Sequence, residues 1–338
     1  MLPTTWFIVL AFMLTGYAVL DGFDLGVGAL HLYMGGKGRD TAINAIGPVW
    51  NGNEVWLLAA GGSMVAAFPH LYASAFSGFY LALMLVLWLL VLRGVAIEFR
   101  HQVDNPLWRD AWDVTFFGAS LLLAVLFGAA VGNVLRGVPL DAQGSFRGSF
   151  ALLLNPFALL CGVLSVVTLS LHGAAYLAMK TDGEVQARAR RVVMPLWVLT
   201  VVLLVAVVAS SFVVRPGFTA NFSRWPWLVA VPILGLVAAA AVPHYHTRRR
   251  DTGTFLSSAA LIVATLGSAA AGLYPYLLPS LAGSPHPGLD IYNSASSPRA
   301  QSIALTIYLI GMAIVIGYLI NMYRVWRGKV GEEHTYKV

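Results

Sequence analysis

Asp21-Gly22-Phe23-Asp24-Leu25-Gly26-Val27-Gly28 places two carboxylates and three glycines at the far end of an apolar run covering roughly residues 4–32. Such a run is long enough for one helical membrane crossing, and a carboxylate at membrane depth costs about 3 kcal/mol unless it meets a partner or water. Its default reading is therefore functional. Asp21 and Asp24 share one helix face, being three residues apart. Ala18, Gly22 and Gly26 recur at four-residue spacing and clear a groove for a second helix, which makes Gly22 and Gly26 candidate packing positions. The plainer alternative is that the acids cap the helix end against a lysine or arginine of the next loop.

The composition extends this reading to the whole chain. Of 338 residues, 58% are hydrophobic and 11% charged, the balance of an all-α integral membrane protein, read as one polytopic domain over 1–338. Twenty-one basic against fifteen acidic residues give +6, an excess that sits in short loops and points to membrane topology rather than nucleic acid. Cys161 is the one cysteine, which excludes an intrachain disulfide, a CxxC redox pair and a thiolate-bound cluster. The N-terminal apolar run has no basic segment before it and continues into the acidic motif, so it reads as a first spanning helix rather than a cleaved leader.

Taking about 20 apolar residues per crossing, the pattern predicts about nine transmembrane helices, near 4–32, 46–68, 72–98, 114–135, 152–179, 193–214, 226–243, 254–274 and 302–326. Pro275 should end the eighth, and a Pro-rich connection follows to Pro298. With the N-terminus outside and the C-terminus cytoplasmic, sixteen Lys and Arg, Lys337 among them, fall inside and five outside. Asp24 then lies about 30 Å below residue 4, near the cytoplasmic boundary, and Asn51 and Glu54 of the second helix should reach a similar depth.

Gly47-Pro48-Val49-Trp50-Asn51-Gly52-Asn53-Glu54-Val55-Trp56-Leu57 packs amides, a carboxylate and two indoles into three turns. Asn51 and Glu54 on one face could hold water and pass protons along it; the alternative is that Asn53 and Glu54 simply hydrogen-bond a neighbouring helix while Trp50 and Trp56 pack or sit at the interface. Arg93-Gly94-Val95-Ala96-Ile97-Glu98-Phe99-Arg100 reads as a helix end whose basic side chains snorkel to the interface, with Glu98 a candidate proton collector. Among eight histidines, including His334 in the tail, only His172 falls well inside a span, and neither C-x-x-C-H nor H-E-x-x-H occurs. The chain is therefore expected to bind no haem or metal of its own. Gly35-Gly36-Lys37-Gly38-Arg39 lacks the full phosphate-loop pattern and reads as a cytoplasmic turn.

Several of these stretches together resemble subunit II of the cytochrome bd-type quinol oxidases. DGFDLGVG, GPVWNGNEVWLLAAGG, Ala75-Phe76-Ser77-Gly78-Phe79-Tyr80, RGVAIEFR, Trp108-Arg109-Asp110-Ala111-Trp112-Asp113, HGAAYLAMKTDGEVQARAR and YPYLLPS followed by LDIYNSASS occur in order along almost the whole chain. The resemblance implies two four-helix bundles plus one peripheral helix in a bacterial cytoplasmic (inner) membrane. It implies a similarly folded subunit I that carries haem b, haem d and the quinol site, and a complex that oxidises quinol outside and reduces dioxygen with cytoplasmic protons. It also admits a structural quinone and a small single-helix third subunit. By position, Asp24 matches the family's proton-entry carboxylate. Asn51 stands where aspartate is frequent and cannot titrate, so either water ordered by its amide carries the proton or Glu54, three residues on, takes the load, with Asp21 a further member of the route. The W-N-G-N-E variant is similar to the cyanide-insensitive branch. A secondary transporter is the first rival, though no second DGFD-like segment occurs in the later half. A purely structural anchor for a redox partner is the second.

Overall fold

The computed structural model describes residues 1–330, so Lys337 and His334 lie outside the described residues. In chain order the helices are α1 (Leu2–Met34), α2 (Gly36–Ile46), α3 (Trp50–Ala67), α4 (Pro69–Gly78), α5 (Tyr80–Phe99), α6 (Pro106–Arg136), the single-turn α7 (Phe150–Leu153), α8 (Pro156–Lys180), α9 (Gly183–Val214), the short α10 (Ala220–Arg224), α11 (Ala230–Thr247), α12 (Asp251–Leu273) and α13 (Pro298–Val325). Eight of them, α1, α5, α6, α8, α9, α12, α13 and α11 with the 3-10 turn before it, are long and apolar enough to cross a membrane. The remaining predicted crossing, 46–68, corresponds to α3, whose 18 residues open on Asn51, Asn53 and Glu54.

Local chemistry sets several boundaries that apolar periodicity misplaced. Asn105-Pro106, Asn155-Pro156 and Ser297-Pro298 each put a capping side chain before a proline at the first helical position. The cap satisfies an orphan N–H and the proline needs none, so α6 starts well before the predicted 114. The span predicted at 72–98 divides instead into α4 and α5 at Phe79. The supposed turn at 35–39 is a turn only at Gly35, whose φ of +68° suits glycine, and helix resumes at Gly36. α12 does end before Pro275, and the connection after it holds a two-stranded antiparallel hairpin, β1 (Tyr276–Pro279) and β2 (Gly288–Asp290).

α1 and α8 form the axis on which the bundle is assembled. α8 is buried almost without interruption from Val167 to Ala178, as expected for a helix surrounded on all sides. Two glycine contacts permit this. A Cβ built on Gly26 would stand 1.8 Å from the Leu169 carbonyl oxygen, and one on Gly173 would stand 2.4 Å from the Gly26 carbonyl carbon. Toward the other end of α8, Cβ atoms on Gly128 and Gly132 of α6 would meet Cys161 O at 2.5 Å and Ala158 Cα at 2.8 Å. The Gly22/Gly26 groove is thus filled by a helix of the same chain. α13 lies at the margin against α3 and α1, with most of its surface exposed.

Candidate functional site: two polar clusters on α1

Positions 21, 24, 28 and 31 follow one stripe of α1 at three- and four-residue steps, which brings Asp21, Asp24, Gly28 and His31 to one face. Across from it, Arg93 and Arg100 stand two turns apart on one face of α5. The pairing of these stripes generates a deep cluster and a shallower one at the Met34 end.

In the deep cluster the Arg93 guanidinium is fully buried, 0% exposed, like Asp21 beside it. Its Nη2 donates to Asp21 Oδ1 at 2.7 Å and also to Glu54 Oε1 of α3. Arg93 therefore does not snorkel, contrary to the sequence expectation: two carboxylates hold it inside. Gly94 lets α3 approach, because the Trp50 ring lies where a Cβ would point. Among the described residues Asp24 pairs with no cation; its Oδ2 accepts from Asn53 Nδ2 at 2.8 Å, and Asn53 Oδ1 accepts from Tyr323 Oη of α13 at 3.0 Å. Asn51 is exposed on the Val55 and Leu58 face of α3, so the amide serving the acids is Asn53, two residues on. Among the described residues Glu54 is bonded to Arg93.

At the Met34 end, His31 Nε2 donates to Asp113 Oδ1 of α6 at 2.5 Å. Asp113 also accepts from Arg100 Nε at 2.5 Å and from Arg39 Nη1 of α2 at 3.1 Å. Arg100 reaches Asp40, and Arg39 reaches Asp110 at 3.3 Å. In the loop beside this cluster, burial and then the neighbouring Arg100 push His101 below the usual imidazole value of 6.5. Glu98 is half-buried and makes no ion pair among the described residues. Between the clusters, Ser120 Oγ of α6 lies against Gly28, where a Cβ would stand 2.0 Å away. Ser120 Oγ, His31 Nδ1 and Asp24 Oδ1 are all buried without a hydrogen-bond partner among the described residues.

His31, Asp113, Arg100 and Tyr323 were not singled out from sequence; Asn53 was, as an amide bonding a neighbouring helix, and it bonds Asp24 of α1 and Tyr323 of α13. The seven-residue step from Arg93 to Arg100 was the available signal, since it aligns both guanidiniums on one helix face. His172 is a hydrogen-bonded buried histidine: Nε2 lies 3.0 Å from the Val19 carbonyl, Nδ1 faces Ser258 Oγ at 2.7 Å, and the ring stacks on Phe255. No three His, Cys, Asp or Glu side chains among the described residues are grouped to hold a metal ion.

A family model described as cytochrome bd terminal oxidase subunit II matches residues 2–326. The chain belongs to that family. It is 36% identical to a probable cytochrome oxidase subunit 2 of Haemophilus influenzae, over 96% of this chain and 94% of that one. It is 32% identical to the cytochrome bd-I ubiquinol oxidase subunit 2 of Escherichia coli K12, over 97% and 95% of the two chains. Against the cytochrome bd ubiquinol oxidase subunit 2 of Bacillus subtilis it is 32% identical, over 97% and 96%. In fold it is similar to a chain of the bd oxidase from Geobacillus thermodenitrificans, with a TM-score of 0.78, 16% identity and 96% and 98% coverage. As a bd-family subunit II it is a multi-pass protein of the bacterial inner membrane and part of a respiratory oxidoreductase complex. A subunit I completes that complex, and haem is its cofactor.

Proposed function

We propose that this subunit supports a subunit I holding haem b, haem d and the quinol site, and conducts protons from the cytoplasm toward the oxygen-reducing centre along the polar stripe of α1. The stoichiometry of the deep cluster carries the reading: Asp21 and Glu54 share the one guanidinium of Arg93, and Asp24, a third carboxyl one helical turn from Asp21, is bonded only to the Asn53 amide among the described residues. With all three carboxyls ionised, two net charges would be left uncompensated in a largely buried site, at several kcal/mol each. A site of this composition holds exchangeable protons instead. Asp24, bonded to the Asn53 amide rather than to a cation, is placed to trade one.

Ser120 and His31 continue the stripe from Asp24 to the Met34 end in steps of about one turn, and buried polar atoms of this kind are ordinarily served by ordered water. The inward excess of basic residues supports the Met34 end facing the cytoplasm. When bound in subunit I, the haems supply the reduction of dioxygen with electrons from quinol oxidised at the outer face. The task of the present residues is to hold and release protons.

Asp24→Asn tests this in the assembled complex, because the amide keeps the shape and removes titration. Haem content should stay parental while oxygen reduction falls at least about tenfold, more deeply at high pH. Glu54→Gln should act in the same direction and less strongly, since Arg93 already holds Glu54. Asn51→Asp should not rescue it, because Asn51 faces away from the acids. Fully assembled Asp24→Asn and Glu54→Gln enzymes that both turn over at the parental rate would reduce the cluster to a structural anchor.

A further inference from the structure

A groove of about 710 Å³ opens between α11 and α12 on the same end of the molecule as Met34. Leu234, Val237 and Ala241 of α11 and Leu256 and Ala260 of α12 form its walls. From Leu234 to Tyr245 these walls run about 16 Å along α11, the reach of a substantial length of acyl chain. At the mouth the lining changes character to Tyr245, Arg249, Arg250 and Lys329. The two arginines and Lys329 are exposed and make no ion pair among the described residues. Asp251, the acid at the mouth, is taken by Arg190, whose Nε and Nη2 donate to it at 2.9 and 2.5 Å. Among the described residues the mouth therefore presents an excess of positive charge above an apolar trough. Arg249 also adopts φ +57°, a left-handed conformation uncommon for a residue with a side chain.

We infer that this groove is a specific binding site for an acidic phospholipid of the leaflet at the Met34 end. Its acyl chain would lie along α11 and α12 and its phosphate between Arg249, Arg250 and Lys329. Charge complementarity selects this occupant: a neutral lipid would fill the trough and leave three cations unanswered, whereas a free phosphate would use the cations and leave the apolar walls wet. Basic pockets between membrane helices at the cytoplasmic surface capture anionic headgroups on the same principle.

The test uses the intact purified complex with spin-labelled phosphatidylglycerol and phosphatidylcholine as probes, read as the motionally restricted lipid per complex. The acidic probe should be retained in preference to the neutral one. The preference should fall about fivefold for each charge removed in Arg249→Asn and Arg250→Gln, asparagine being chosen at 249 because it tolerates positive φ. Ala260→Leu, which narrows the trough and leaves the charges, should lower retention of both lipids. Millimolar inorganic phosphate should not displace the acidic lipid. Equal retention of the two lipids, a preference unmoved by the arginine substitutions in a complex with parental haem content, or displacement by phosphate alone would each overturn the assignment.

Discussion

The two polar clusters on α1 use the same residue types in different proportions. At the Met34 end, Arg39, Arg100 and His31 face Asp40, Asp110 and Asp113, and both oxygens of Asp113 are occupied. About ten residues deeper, near 15 Å along the axis, one arginine faces three carboxyls. There Asp21 Oδ2, Asp24 Oδ1 and Arg93 Nε and Nη1 have no hydrogen-bond partner among the described residues. An ion network in which Arg39 and Arg100 both hold Asp113 fixes α1, α2, α5 and α6 against one another. A lopsided and under-bonded one is poorly suited to hold helices together and well suited to exchange protons. The identity of the residues matters less here than their count.

The hardest way to break this contrast is to remove the single cation of the deep cluster. Arg93→Gln leaves Asp21 and Glu54 facing each other without compensation, and stripping one partner from a buried ion pair costs about 3–5 kcal/mol. Assembled complex should be largely lost, as measured by haem-bearing material recovered from membranes. Recovery at parental level would show that the acids do not depend on Arg93. Gly26→Leu should come next: the side chain would enter the Leu169 backbone and part α1 from α8, an overpacking cost of about 1–3 kcal/mol or more. Because the groove is occupied within the chain, the defect should appear as lower thermal stability of subunit II itself. Gly62→Ala, with no atom within 4 Å of the added Cβ, should be silent. Equal melting of the two variants would show that the α1–α8 crossing is looser than the contact distances imply.

Much of the fold was legible because apolar runs of membrane length leave few alternatives, and because Pro275 and the acidic stripe of α1 carry strong local signals. The helix starts at 106 and 298 were misplaced since the Asn-Pro and Ser-Pro caps were outweighed by the apolar count. Asp21, Asp24 and Glu54 could be picked out as acids in unlikely places, but their shared partner could not. Arg93 lies near the end of an apolar run, where snorkelling and burial produce the same sequence, and only the packing of α3 and α1 against α5 separates them. The same ambiguity left open which amide serves the acids: Asn53 could be read as bonding a neighbouring helix, but a register difference of two positions turns one amide inward and the other out, and nothing local to W-N-G-N-E decides between it and Asn51.

The finest test of the comparison lies at the Met34 end, where the Asp113 network should respond to acid only weakly. Burial and the adjacent Arg100 favour neutral His101 in the folded protein. Its folded value therefore lies below 6.5, and the stability linked to it is complete above that pH and is lost as pH falls through the lowered value. The His101 ring is only partly desolvated and the residue keeps much of its surface in solvent, so screening limits the effect to a fraction of a kcal/mol. His101→Gln should narrow slightly the difference between the melting temperatures of the complex at about pH 7.5 and about pH 5.5, and leave turnover at neutral pH unchanged. A large loss of turnover in His101→Gln would move proton entry into the loop after α5. Protons would then enter through that loop rather than past His31, and the path proposed along α1 would fail.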